Sequence, residues 1–180
     1  SGNIKLEFMN LNLNELVQQV NGEFTERFES RNLDLICILQ PEPLLICADS
    51  RRIWRVLENL YVNVCKYAMP GTRVYVDAIK KDGKIQFSIK NISENPLNFQ
   101  ADELTERFIR GDVSRSTEGS GLGLSIAKNL TVLQHGSFNI YLDGDLFKVT
   151  ITFDEAVKEK KPMPPMIVPE AVQEEAQQDA

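Results

Sequence analysis

The sequence predicts an α+β fold, a two-layer sandwich in which a mixed, mostly antiparallel sheet packs against about three helices. Alternating apolar segments meet at the turn signals Asp82-Gly83 and Asp143-Gly144, which reads as two hairpins. Apolar residues recur at helical spacing in other segments, notably from Leu13 to Phe28 and from Ile53 to Val64. The strands come mostly as hairpins and not as βαβ units, which argues against a doubly wound dinucleotide fold.

Taken in order, Ile4, Leu6 and Phe8 alternate with polar residues and predict a short strand. Leu13, Leu16, Val17, Val20, Phe24 and Phe28 follow as the apolar stripe of a helix. Leu33 to Gln40 and Leu44 to Ala48 are apolar and flank Pro41-Glu42-Pro43, which predicts a hairpin. Asp49 or Ser50 then caps a helix that runs to about Ala68, where Pro70-Gly71 stops it. Arg73 to Lys81 and Lys84 to Asn91 form the hairpin around Asp82-Gly83. Ile92 to Gln100 is irregular and polar, and Ala101 to about Phe108 is a short helix. Ile109 to Gly119 lacks apolar periodicity and reads as a mobile loop. A helix follows from about Leu122 to Gln134, then a last hairpin from Ser137 to Asp143 and Leu146 to Phe153.

One domain is therefore expected over residues 1–153, long enough to bury a real core. Residues 154–180 hold half of the eight prolines and an acidic, Gln-rich end, a composition that predicts disorder. This tail carries seven acidic and three basic residues, so it holds −4 of the net charge of −6. The body keeps only −2 and has no basic field for nucleic acid. No apolar run approaches the roughly 18 residues of a membrane span, so any membrane segment is expected outside this stretch of chain. The three cysteines, Cys37, Cys47 and Cys65, are an odd number in apolar runs, expected as buried free thiols. One histidine, His135, and no CxxC pair leave no His-rich or Cys-rich metal site.

The strongest chemical signal is Gly119-Ser120-Gly121-Leu122-Gly123-Leu124, which runs straight into a helix. Glycine lets backbone N–H groups approach an anion closely, and a helix start adds unpaired donors and a positive dipole end. The run suits a phosphate, although a Gly-rich turn before a helix is by itself usually just a turn. It matches neither the P-loop pattern nor GxGxxG. A second constellation lies on the helix after Asp49. Ile53, Leu57, Leu60 and Val64 form its core stripe, while Asn59, Asn63 and Lys66 share another face. Asparagine is a middling helix former, so two of them one turn apart suggest more than a solvated surface. An amide oxygen can ligate Mg²⁺, and amide and ammonium N–H groups can donate to phosphates. Arg107, Arg110 and Arg115 stand before and within the mobile loop, where they can close over a polyphosphate.

Together these residues resemble the catalytic, ATP-binding domain of bacterial sensor histidine kinases, a branch of the gyrase, chaperone, kinase and mismatch-repair ATPase superfamily. Leu57 to Tyr67 is similar to the family's N box, Leu104 to Arg110 to its F box, and Gly119 to Leu124 to its second glycine box. The resemblance covers about residues 4–153 and implies ATP and Mg²⁺ as cofactors. It implies that Asn63 ligates the metal, that Asn59 and Lys66 contact the phosphates, and that Tyr67 packs against the nucleotide. Arg110, with Arg107, would reach the terminal phosphate from a flexible ATP lid. Backbone N–H groups of Gly119, Gly121, Leu122, Gly123 and Leu124 would hold the phosphate tail, and Asn59 and Arg110 would be the catalytic residues. The γ-phosphoryl group would pass to a histidine on a separate upstream dimerisation domain and from there to a cognate response regulator. The implied whole is a homodimeric, membrane-anchored receptor with this domain in the cytoplasm.

Asn59 also separates the members of the superfamily, because the hydrolysing relatives place a glutamate there to activate water. An amide cannot act as that base, and Glu58 lies about 100° around the helix. Phosphoryl transfer to a protein is thus favoured over hydrolysis. The family's first glycine box reads Asp-x-Gly-x-Gly, with the Asp on the adenine amino group. This chain has Asn91-Ile92-Ser93-Glu94-Asn95, so Asn91 would meet the adenine. Its amide oxygen can accept from the N6 amine. His135 precedes Gly136 where the family has a His-Gly-Gly turn, and it is expected as a turn residue, not as the phosphoacceptor. Two alternatives share the fold: an interaction module that has lost nucleotide binding, suggested by the missing first glycine box, and a protein-serine kinase of the anti-sigma-factor type.

Overall fold

The computed structural model describes residues 3–97, 122–157 and 165–169, apart from the side chains of Asn3 and Leu122. In chain order its elements are β1 (Asn3–Leu6), β2 (Phe8–Asn12), α1 (Leu13–Ser30), β3 (Asp34–Leu39), β4 (Leu45–Asp49) and α2 (Ser50–Tyr67). There follow β5 (Arg73–Lys81), β6 (Lys84–Ile92), α3 (Leu122–Leu133), β7 (Ser137–Asp143), β8 (Leu146–Asp154) and β9 (Met166–Pro169). The expected short helix at 101–108 and the mobile loop at 109–119 lie outside the described residues.

A five-stranded sheet in the order β3-β5-β6-β8-β7 forms one layer. Only the β3–β5 pair is parallel, and the other three pairs are antiparallel. Alternate residues Val74, Val76, Ala78, Ile85, Phe87, Ile89, Val149, Ile151 and Phe153 are buried on one face of it. They share a core with Ile53, Val56, Leu57, Leu60 and Val64 of α2, with Val17, Val20, Phe24 and Phe28 of α1, and with Leu124, Ala127 and Leu130 of α3. Each of the Val, Leu, Ile and Phe side chains among them contributes roughly 1.5–3 kcal/mol by leaving water. The α+β sandwich expected from the sequence is the observed fold.

Local chemistry sets the elements. Asn12 caps α1, its Oδ1 accepting from Asn14 N at 3.1 Å. Asp49 caps α2, its Oδ1 accepting from Arg51 N at 3.0 Å and Arg52 N at 3.1 Å. Asp82 and Gly83 both have positive φ, 53° and 74°, the type I′ geometry that joins β5 to β6.

Four expectations change. Residues 33–48 do not form a hairpin: β3 pairs in parallel with β5, and β4 pairs antiparallel with β2. The N-terminus of α1 holds the connection, with Leu13 N donating to Leu44 O and Asn14 Nδ2 donating to Gln40 O and Glu42 O. The chain is thereby carried away from β3 and does not turn back on it. The first strand is two strands, because Glu7 N donates to Asp49 Oδ2 at 2.8 Å and interrupts the ladder. Within the stretch expected to be disordered, Met166–Pro169 is β9, paired antiparallel with β1. Its Val168 is buried with Leu6 and Phe8, which makes Met166-Ile167-Val168 an apolar insert in a polar tail. The cysteines are free, as expected, but half-buried instead of buried. Among the described residues no helix is long and apolar enough to cross a membrane.

Candidate functional site

The apolar stripe of α2 dictates which way its polar face points. With Ile53, Leu57, Leu60 and Val64 in the core, Asn59 and Asn63 are half-buried at the margin, and Lys66 is exposed one turn further on. Glu58 is exposed, apart from Asn59 in accessibility as well as in helical angle. α3 packs against this helix. A Cβ placed on Gly123 would meet Asn59 O at 3.7 Å and Asn59 Cβ at 3.9 Å. The first turn of α3, with the backbone N–H groups of Leu122, Gly123 and Leu124 free of helical partners, therefore begins beside Asn59. The side chain of Leu124 is 2% exposed and belongs to the core, so only its backbone is offered to a ligand.

The other wall is the end of β6. Asn91 alternates with Ile85, Phe87 and Ile89 on the packed face of the sheet and is 3% exposed. The α2 terminus is tied to this strand: Met69 N donates to Ile92 O at 2.8 Å, Glu94 N donates to Tyr67 O at 2.8 Å, and Ala68 bridges to Ser93. Tyr67 is half-buried against the core at this junction.

Three buried amide atoms among the described residues lack a hydrogen-bond partner, Asn14 Oδ1 away from this region and two within it. The two within it are Asn59 Nδ2 and Asn91 Oδ1. Each such atom costs about 1–3 kcal/mol when left unsatisfied. They are opposite in kind, a donor on α2 beside the glycine-led helix and an acceptor on β6. A ligand with phosphate oxygens at one end and an amino group at the other answers both.

The structure thus lines Asn59, Asn63 and Lys66 along one face of α2, sets the start of α3 beside Asn59, and places Tyr67 and Asn91 at the junction of α2 with the end of β6. Arg107, Arg110, Gly119 and Gly121 lie outside the described residues. Asn63 offers an amide oxygen, and among the described residues no group of His, Cys, Asp and Glu forms a metal cluster. A hard cation that takes most of its ligands from phosphates and water fits that donor set. His135 has φ 68° and stacks on Phe8 with ring centroids 5.6 Å apart, which makes it a turn residue.

Sequence reasoning missed Arg31. Its Nε donates to Cys65 O and its Nη2 to Ala68 O, both at 2.9 Å, and it pairs with Glu94 at 3.5 Å. It satisfies the last carbonyls of α2 and joins them to the segment after β6. No local pattern signals this, because its partners are 34 and 37 residues away.

A family model described as histidine kinase-, DNA gyrase B-, and HSP90-like ATPase matches residues 48–157. The signal transduction histidine-protein kinase BaeS of Escherichia coli (strain K12) is 31% identical over 123 residues, 67% of this chain and 26% of BaeS. Sensor histidine kinase RppB of Synechocystis sp. is 29% identical over 130 residues, 71% of this chain and 29% of RppB. The chain therefore spans between a quarter and a third of the length of these two relatives. Among solved structures, the nucleotide-free catalytic domain of histidine kinase ThkA is similar with TM-score 0.72 at 26% identity, covering 83% of this chain and 96% of that one. ThkA in complex with the response regulator protein TrrA is similar with TM-score 0.68 at 26% identity, covering 86% of this chain and 44% of that one.

Proposed function

Because the chain belongs to the family of histidine kinase-, DNA gyrase B- and HSP90-like ATPases, we propose that it is the ATP-binding catalytic domain of a two-component sensor histidine kinase. The observation that carries the reading is the polar face of α2, where Asn59 keeps an unbonded buried Nδ2 beside the glycine-led start of α3. In this reading Asn59 and Lys66 donate to the phosphates and Asn63 supplies an amide oxygen to Mg²⁺. The backbone N–H groups of Leu122 to Leu124 receive phosphate oxygens, with Gly119 and Gly121 leading into them. Asn91 accepts from the adenine amine, and Tyr67 lies against the nucleotide. Arg107 and Arg110 reach the terminal phosphate from the lid. Bound Mg²⁺ supplies charge neutralisation, and the side chains supply position, which is most of what phosphoryl transfer needs.

Asn59 cannot take a proton from water, which favours transfer to a protein side chain over hydrolysis. The acceptor is a histidine on a separate upstream dimerisation domain, and the phosphoryl group then passes to a cognate response regulator. The relatives' greater length supports this division of labour, and the pairing of ThkA with TrrA supports the second partner. The full-length protein is then a homodimer anchored in a membrane, with this domain on the cytoplasmic side. Titration calorimetry on the purified chain tests the core of the reading. One ATP is expected to bind per chain in the presence of Mg²⁺, with no phosphorylated product from this domain alone, and absence of binding would sink it. Asn63→Asp puts a negative charge beside the phosphates and is expected to weaken binding roughly tenfold. Unchanged affinity would remove Asn63 from the site.

A further inference from the structure

Asn91 sits on a hydrocarbon floor. Ile85, Phe87 and Ile89 precede it on the packed face of β6, and its cross-strand neighbour is Phe147. It is 3% exposed, and its Oδ1 has no hydrogen-bond partner. The other two buried amides among the described residues are each held one way round by a donated hydrogen bond, although Asn14 Oδ1, like Asn91 Oδ1, has no partner. Gln134 accepts from Asp49 N and donates to Leu130 O, both at 2.9 Å. Asn14 donates through Nδ2 to Gln40 O at 3.0 Å and Glu42 O at 2.9 Å. Turning either amide over would break those bonds. For Asn91, no side-chain hydrogen bond among the described residues holds the amide one way round.

An amide presents an acceptor and a donor of nearly the same shape, exchanged by half a turn about its last torsion. With Oδ1 forward, Asn91 takes a donor. The polar edge of adenine has one, the 6-amino group. With Nδ2 forward, Asn91 takes an acceptor at the same place, which is the 6-oxo group of guanine or hypoxanthine. A carboxylate at this position only accepts, so it would favour the amino group and repel the oxo group.

From this we infer that Asn91 makes the base end of the site permissive at purine position 6, so that it takes 6-oxopurine nucleoside triphosphates as well as ATP. The inference rests on the nucleotide-site reading above and adds to it the class of base. A site that required the amino group would reject the oxo analogue by orders of magnitude, since a buried acceptor would face a second acceptor.

The test is competition of ATP, ITP and GTP against a fluorescent adenine nucleotide on the purified chain, with Mg²⁺ present. ITP and GTP are expected to bind within about thirtyfold of ATP, and Asn91→Asp is expected to weaken both at least roughly tenfold relative to ATP. Weaker binding of both by more than about thirtyfold in the unmutated chain, while ATP binds, overturns the inference and leaves the ATP reading standing. An ATP-to-ITP ratio unchanged by Asn91→Asp also overturns it. Failure of all three nucleotides to bind overturns the nucleotide reading and the inference with it.

Discussion

Asp49→Ala is expected to destabilise the domain by about 2–3 kcal/mol. The side chain is 6% exposed and ties two separate pieces of backbone together. Its Oδ1 accepts from Arg51 N at 3.0 Å and Arg52 N at 3.1 Å, which satisfies the first turn of α2. Loss of such a cap costs about 1 kcal/mol. Its Oδ2 accepts from Glu7 N at 2.8 Å, at the break between β1 and β2. A hydrogen bond to a charged acceptor contributes about 1.5–3 kcal/mol, taken at its lower end because Glu7 lies at the surface. The Asp49 backbone bond to Gln134 Oε1 survives the substitution, so it adds nothing to the loss. Urea unfolding followed by circular dichroism measures the change. Asp49→Asn keeps the cap oxygen but turns an NH₂ towards the Glu7 N–H, so it should fall between the parent and Asp49→Ala. A loss below about 0.5 kcal/mol for Asp49→Ala would refute the reasoning, as would Asp49→Asn being the less stable of the two.

Two further outcomes are expected. Gly136→Ala would place a Cβ 2.6 Å from Phe153 Cε1 and 2.9 Å from Thr131 Cγ2. Phe153 is 3% exposed and must shift to make room, so thermal unfolding should show a loss of about 1–3 kcal/mol; unchanged stability would mean that the turn after α3 is loosely packed. Burial pushes the Cys65 thiol from its ordinary 9.0 up to about 11 against the partial opposition of Arg27 and Arg31. The folded chain therefore keeps the proton where the unfolded chain has lost it. Stability from this group is fully present below pH 9.0 and is lost as pH rises towards about 11. Mass spectrometry after alkylation at pH 8 to 9 should find Cys65 modified far more slowly in the native chain than in urea, and equal rates would contradict its burial.

Much of this protein is readable residue by residue because the physics involved is local. The stripe from Leu13 to Phe28 places α1, and the Asp49 cap starts α2 where it was expected. The pair Asp82-Gly83 closes a hairpin because both residues tolerate positive φ. The proposed site was legible for the same reason, since helical spacing alone puts Asn59, Asn63 and Lys66 on one face, and a glycine run before an apolar helix is the pattern from which an anion-binding end is proposed. The segment from 33 to 48 failed this treatment. Its two apolar strands look alike in sequence, and either could have paired with the other. The choice was made by hydrogen bonds from Leu13 and Asn14, some 26 to 31 residues away in the chain.

What the sequence by itself determined is therefore the identity of α1, α2 and α3, the two tight hairpins and the polar set on α2, because each depends on neighbours within a few residues. Tertiary structure alone decided the parallel pairing of β3 with β5, the return of β9 onto β1, the role of Arg31 and the isolation of Asn91 on its apolar floor. Strand partners and the satisfaction of a buried polar atom depend on groups distant in the chain, and only the folded packing brings those groups within hydrogen-bond reach or keeps them out of it.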